Sequence, residues 1–243
     1  MKETLYMEER EHDSFQRHCR LSKRLSNNGI HIFDVGANVG QSIKRYRNKF
    51  PDCRITSFEP NPEVFPVLEK TWGEISGITL NQYALTNYTG DASFYATRVT
   101  EASSLLKPTE RMLEISAERK YDHKIINVSA MTLDHYCQMN HVSNIDILKI
   151  DVQGAELNVL QGAELLLKDQ SVALIYTEIT FAKTYINQNH FIDIVSYLDK
   201  FNYDVWDICS FLYTSNERIW AANLTFIPAA AAPLIETNTK ISE

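Results

Sequence analysis

The chain has 243 residues, 24 Lys and Arg against 31 Asp and Glu, and a formal net charge of -7. That length suits one α/β domain with a full core but not a dinucleotide domain plus a separate catalytic domain, and the acidic balance argues against nucleic-acid binding, which needs cations to displace counterions from phosphates. Cys19, Cys53, Cys137 and Cys209 form no Cys-x-x-Cys pair and no apolar run nears the roughly 20 residues of a membrane span, so no zinc site, disulfide framework or membrane span is expected, and the cytoplasm is the expected compartment.

Residues 1–28 form a charged extension with apolar positions at Leu5, Phe15, Leu21 and Leu25 and a terminator at Asn27-Asn28-Gly29. This pattern predicts one or two helices. They pack on a sheet edge, close over a ligand, or only add solvated surface. The main domain is expected over residues 29–228.

It opens with I-H-I-F-D-V-G-A-N-V-G-Q-S at residues 30–42. Ile30, Ile32, Phe33 and Val35 suit a strand buried on both faces, as in an open parallel sheet covered by helices. Gly36 and Gly40 allow a sharp turn and close approach of a ligand, and an amphipathic helix follows. The spacing is Gly-x-x-x-Gly, not the Gly-x-Gly-x-x-Gly that seats a pyrophosphate. An acid at Asp34 before such a turn suits a nucleoside ligand with a cationic amine, S-adenosyl-L-methionine (SAM) above all. Asp34, Gly36, Asn38, Gly40 and Ser42 are the candidates for its methionine end.

A second strand over 53–59 ends in Glu59, 19 positions after Gly40, followed by the turn Pro60-Asn61-Pro62. A carboxylate at that distance accepts hydrogen bonds from both ribose hydroxyls, and Asn61 and Asp151 are further cofactor-binding candidates. The alternative is an ordinary acid capping the next helix, which Val64, Val67 and Leu68 outline. A third strand spans 78–85, with Tyr83 and Ala84 beside the adenine, and 92–97 alternates as an extra strand. The polar stretch from Thr100 to about residue 122 is the longest irregular segment, and its Ser103 and Ser104 are substrate-contact candidates.

Further strands are expected at 125–131, 146–152, 172–179, 203–208 and 224–227. Helices lie between them: one from Thr132, one after Gly154 with Leu157, Leu160, Ala163, Leu165 and Leu166 inward, and one around Phe191, Ile194, Val195 and Leu198. Residues 229–243 have no pattern and are expected to fray. The order gives a Rossmann-like, seven-stranded, mostly parallel sheet with a small β insertion and N-terminal helices. Its final β-β pair is that of a class I methyltransferase; a dehydrogenase sheet is all parallel.

On these residues the chain resembles the FkbM family of SAM-dependent methyltransferases. The resemblance rests on D-V-G-A-N-V-G at 34–40, F-E-P-N-P at 58–62, S-S-L at 103–105, T-L-D at 132–134, L-K-I-D-V-Q-G-A-E-L at 148–157 and V-L-Q-G-A at 159–163. Gln153 stands where that family commonly carries glutamate. The resemblance implies O-methylation of a hydroxyl on a sugar, glycan or secondary metabolite.

Asp151, at the C-terminal end of the fourth core strand, is the first candidate for contacting or deprotonating that hydroxyl, unless it only caps the following helix. Glu178 ends the fifth strand in a similar place. Lys149, on the same strand face as Asp151, either stabilises an alkoxide or neutralises Asp151 or Glu156. No third ligand accompanies Asp151 and Glu178, so no metal is assigned. An NAD-dependent oxidoreductase and a catalytically silent SAM-binding module stand as alternative functions.

Overall fold

The structure, a computed structural model, describes residues 15–25, 29–110, 112, 123–213 and 217–233. A helix, α1, covers residues 15–25. Then come β1 (His31–Val35), α2 (Gln41–Lys49), β2 (Arg54–Phe58), α3 (Phe65–Trp72), β3 (Ile78–Asn81), β4 (Ala84–Leu85), β5 (Gly90–Thr97) and β6 (His123–Met131). The second half comprises α4 (Leu133–Met139), β7 (Ile147–Ile150), α5 (Glu156–Gln161), α6 (Glu164–Lys168), β8 (Ile175–Thr180), α7 (Phe191–Asp199), β9 (Tyr203–Tyr213) and β10 (Ile219–Pro228).

Seven strands form one sheet in the order β3-β2-β1-β7-β8-β10-β9. All pairs from β3 to β8 are parallel, and β10 is antiparallel to both β8 and β9. This is the class I methyltransferase topology that the element order predicts. β1 is buried at all five positions because helices cover both faces: Phe33 and Val35 enter one core cluster, Ile32 the other. The chain winds outward from β1 in one direction and from β7 in the other, so the crevice for a ligand lies where the β1 and β7 C-termini part.

Four expectations need correction. The run 78–85 splits at Gln82-Tyr83, because β3 pairs with β2 while β4 pairs with β6 in a separate three-stranded sheet, β4-β6-β5. The helix expected after Gly154 breaks at Gly162-Ala163 into α5 and α6, which rephases the second piece and leaves Leu165 63% exposed. The two Asp134 carboxylate oxygens accept from the Leu165 and Leu166 N–H groups at the start of α6, 2.9 and 3.1 Å away. The last two strands are longer than expected and form one long antiparallel pair. Residues 229–233 are not loose: Ala229 N–H donates to Asn202 O, and Ala231 and Ala232 pack on the core. Residues 234–243 and 1–14 lie outside the described residues.

The two readings of the N-terminal extension are separated over α1. Cys19 and Leu21 are buried, Phe15 packs against Tyr46 of α2, and His18 stacks on Tyr176 of β8 at 4.4 Å. α1 therefore covers one face of the sheet. Among the described residues no helix is long and apolar enough to cross a membrane.

Candidate active site

A cavity of about 410 Å³ opens at the C-terminal ends of β1, β2, β7 and β8. Its wall includes Gly36, Asn38, Ser42, Glu59, Lys149, Asp151 and Glu178, residues from four separate segments that the sequence reading had singled out. Ala84 and Ser103 also line it.

The glycines of the β1–α2 turn are held in place by the protein's own atoms, backbone at Gly36 and side chain at Gly40. A Cβ on Gly36, where φ is +79°, would lie 1.9 Å from the Asp151 carbonyl oxygen, and one on Gly40, at φ +92°, would lie 2.3 Å from the Trp72 indole nitrogen. Close packing of β1 on β7 and of α2 on α3 therefore requires both glycines, and Gly36 also lines the cavity. Gly40 itself is buried away from the cavity.

Glu59 follows β2 directly and is 7% exposed. Its Oε2 accepts from Asn38 N–H and its Oε1 from Asn61 N–H, each at 2.9 Å. Burial pushes its carboxyl above the usual glutamate range, and the two backbone donors oppose that push. With one lone-pair site on each oxygen taken, the other remains to accept from vicinal hydroxyls. Asn61 is 2% exposed, and its Oδ1 accepts from Glu63 N–H; it shapes the turn that holds Glu59 and does not reach the cavity. Tyr83, Ala84 and Leu85 add an apolar wall beside Glu59.

Asp34 is fully buried. Alternation along β1 sends it to the face opposite Phe33 and Val35, where β7 places Lys149 directly beside it in register. Lys149 Nζ lies 3.1 Å from Asp34 Oδ1, donates to Gly36 O at 3.0 Å, and stands 3.8 Å from Asp151 Oδ2. Burial pulls the Lys149 ammonium down, but Asp34 and Asp151 more than offset it and hold the group charged. Its main partner is thus Asp34, neither Asp151 nor Glu156.

Three acidic side chains meet beyond β7 and β8. Gln153 Nε2 donates to Asp151 Oδ1 at 2.8 Å and to Glu178 Oε2 at 3.0 Å. Burial, then Asp151 and Glu156, drive the Glu178 carboxyl well above its ordinary value. Glu156 does not face the acceptor side: its Oε1 accepts from Val152 and Gly154 N–H, and burial lifts its pKa to about 7. Among the described residues no group of three His, Cys, Asp or Glu could hold a metal ion.

Ser103 and Ser104 diverge. Ser103 lines the cavity, while Ser104 is 1% exposed and its Oγ donates toward Gln153 O at 2.8 Å, fastening the loop to the turn after β7. The far wall adds residues the sequence reading did not assign to the site: Phe15, Arg45, Thr100, Ser210 and Asn223. Asn223 is recruited because the antiparallel β10 sets it opposite Glu178, a register that spacing does not reveal.

The model of the methyltransferase FkbM domain matches residues 34–205. The chain belongs to the FkbM methyltransferase family. The 2-O-methyltransferase NoeI of Sinorhizobium fredii is 28% identical over 165 residues, which are 65% of this chain and 66% of that protein. The hexuronic acid methyltransferase AglP of Haloferax volcanii is 27% identical over 61% of this chain and 55% of its own length. The chain thus spans between about half and two thirds of the length of these curated relatives. A solved rRNA methylase from Streptococcus thermophilus, 9% identical over 90% of this chain and 96% of that one, superposes with a TM-score of 0.48.

The cofactor of an FkbM methyltransferase is SAM, and the cavity suits it. Glu59 presents a buried carboxylate already braced by two amides, next to an apolar wall, at the switch point of the sheet. Glu59 would hold the ribose, Tyr83 to Leu85 the adenine, and the turn from Gly36 with Ser42 the methionine end.

Proposed function

We propose that this chain transfers the methyl group of SAM to a hydroxyl oxygen, with a sugar, glycan or hydroxylated secondary metabolite as acceptor. One observation carries this reading: a single cavity joins Glu59 and the β1 turn to the Asp151 and Glu178 carboxyl groups on its other wall. AglP, a hexuronic acid methyltransferase, supports a carbohydrate acceptor, NoeI, a 2-O-methyltransferase, supports transfer to oxygen, and the four buried free thiols suit action in the cytoplasm.

When bound, SAM supplies an electrophilic methyl group. The chain must bring an oxygen into line with it, and such positioning is worth about 7 to 11 kcal/mol. In this reading Asp151 Oδ1 is fixed by Gln153, which leaves Oδ2 to accept the hydroxyl proton. Lys149, 3.8 Å from Oδ2, compensates charge there. Glu178, whose carboxyl burial and the neighbouring acids Asp151 and Glu156 push upward, lies beside Asp151 to orient the acceptor. The dinucleotide alternative has no glycine signature and no family match behind it.

The test is transfer from labelled SAM to a panel of sugars, nucleotide sugars, glycolipids and secondary-metabolite alcohols, paired with calorimetry of S-adenosylhomocysteine binding. Asp151→Asn should lower transfer by about 10² to 10⁴ while binding persists. A folded chain that binds no S-adenosylhomocysteine refutes the reading. Binding without any transfer across the panel would favour the silent module.

A further inference from the structure

Gln153 sits at the centre of the site without being one of the expected catalytic groups. Its backbone adopts φ +58°, a left-handed conformation that costs a β-carbon residue energy unless the surroundings require it. The surroundings do: the Gln153 carbonyl accepts from Ser104 Oγ at 2.8 Å, which ties the loop after β5 to this turn. The single O–H of Tyr185 is shared between Ala102 O at 2.9 Å and the Gln153 side-chain oxygen at 3.3 Å. Tyr185 is 2% exposed, so the amide is oriented from a rigid side. With the oxygen so engaged, both N–H bonds of the amide point at carboxyl groups, one to Asp151 and one to Glu178.

We infer that Gln153 is a positioning residue, its side-chain amide clamping Asp151 and Glu178 into one acid pair that faces the methyl acceptor. The orientation toward an acceptor rests on the methyl-transfer reading above; the clamp does not. In this chain a two-donor amide bridges the two carboxyl groups, whereas the glutamate that the family commonly carries there would supply neither donor and would add a negative charge beside the pair.

The charged groups facing Glu178 are Asp151 and Lys149 from β7 and its end and Glu156 from α5; β10 opposes it with the neutral Asn223, and Tyr185 reaches it only through Gln153. Asp151 and Glu156 raise the Glu178 carboxyl, and the Gln153 donor and Lys149 lower it. Loss of the donor therefore moves the Glu178 midpoint further up.

The experiment is carboxyl-carbon NMR titration of the full chain, with and without S-adenosylhomocysteine, for wild type, Gln153→Asn and Gln153→Glu. Asparagine keeps an amide and tolerates the left-handed backbone but is one methylene short of spanning both acids. The Glu178 midpoint should rise by about one pH unit in Gln153→Asn and by more in Gln153→Glu, with S-adenosylhomocysteine affinity within about threefold of wild type. An unchanged or lowered Glu178 midpoint in the folded Gln153→Asn protein overturns the inference. The titration needs no acceptor, so a failure of methyl transfer in the panel and a failure of the clamp are read separately.

Discussion

Lys149 Nζ and Asp34 Oδ1 lie 3.1 Å apart across the β1–β7 pair, the aspartate fully buried and the lysine 8% exposed. The acid that opens the glycine turn is thereby committed to a lysine that reaches the cavity, and its influence on the site passes through that lysine. A buried pair broken on one side leaves an uncompensated charge, so Asp34→Ala and Lys149→Ala should each lose about 3 to 5 kcal/mol of unfolding free energy. The joint replacement Asp34→Leu with Lys149→Met should cost less than either, because it removes both charges and keeps the volume. Urea unfolding of the three variants checks this; a double variant less stable than both singles contradicts it.

Glu59 is braced by Asn38 and Asn61 N–H before any ligand arrives. Glu59→Ala should weaken S-adenosylhomocysteine binding by about 10- to 100-fold, the value of one or two hydrogen bonds to a charged acceptor. Calorimetry measures it directly. An unchanged affinity would remove the ribose role.

Glu156 links stability to pH. Burial raises its carboxyl from an ordinary 4.5 to about 7, so between these values the folded chain binds a proton that the unfolded chain does not. Stability from this group is present at low pH and is lost as pH rises through that window, by up to about 3 kcal/mol. Glu156→Gln keeps the oxygen that accepts from Val152 and Gly154 N–H and removes the titration. Its stability relative to wild type should therefore improve by about that amount from pH 4.5 to 7.5, read from denaturant midpoints. His31 works in the opposite sense: burial, then Arg54, lowers it to about 4, so its contribution is lost as pH falls from 6.5. Removal of the His31 ring should flatten that acid limb.

Gly36→Ala should destabilise by about 3 kcal/mol or more, because the new Cβ meets the Asp151 carbonyl at 1.9 Å and the backbone is left-handed. Gly29→Ala is the control. It shares the left-handed φ, +73°, but has nothing within 4 Å, so only the backbone term of about 1 kcal/mol applies. Thermal unfolding separates the two.

The core of the fold was legible where a strand is buried on both faces and ends in an acid: β1, β2, β7 and β8 were all read from apolar runs. Glu59 was legible from its spacing. The split between β3 and β4 was not, since an apolar run through Tyr83 does not say which sheet each half joins. Leu165 was misread because a break at Gly162 resets helical phase, and the break depends on Asp134 capping from another helix. Asp34 was misassigned for a different reason: its type suggested an amine partner, while strand alternation, applied to Phe33 and Val35, already pointed it to the face of Lys149. Ser210 and Asn223 lie on an antiparallel pair whose register is set by tertiary contact alone, so no local signal marks them.

β10 enters the sheet between β8 and β9, although it follows both in the chain. Until residues 219–228 have left the ribosome, the neighbours on either side of that gap have nothing to join them, and the cavity lacks the wall that carries Asn223. A growing chain can therefore assemble the strands that cradle the nucleoside well before it completes the half that meets the acceptor, and the enzyme is closed by its last strand.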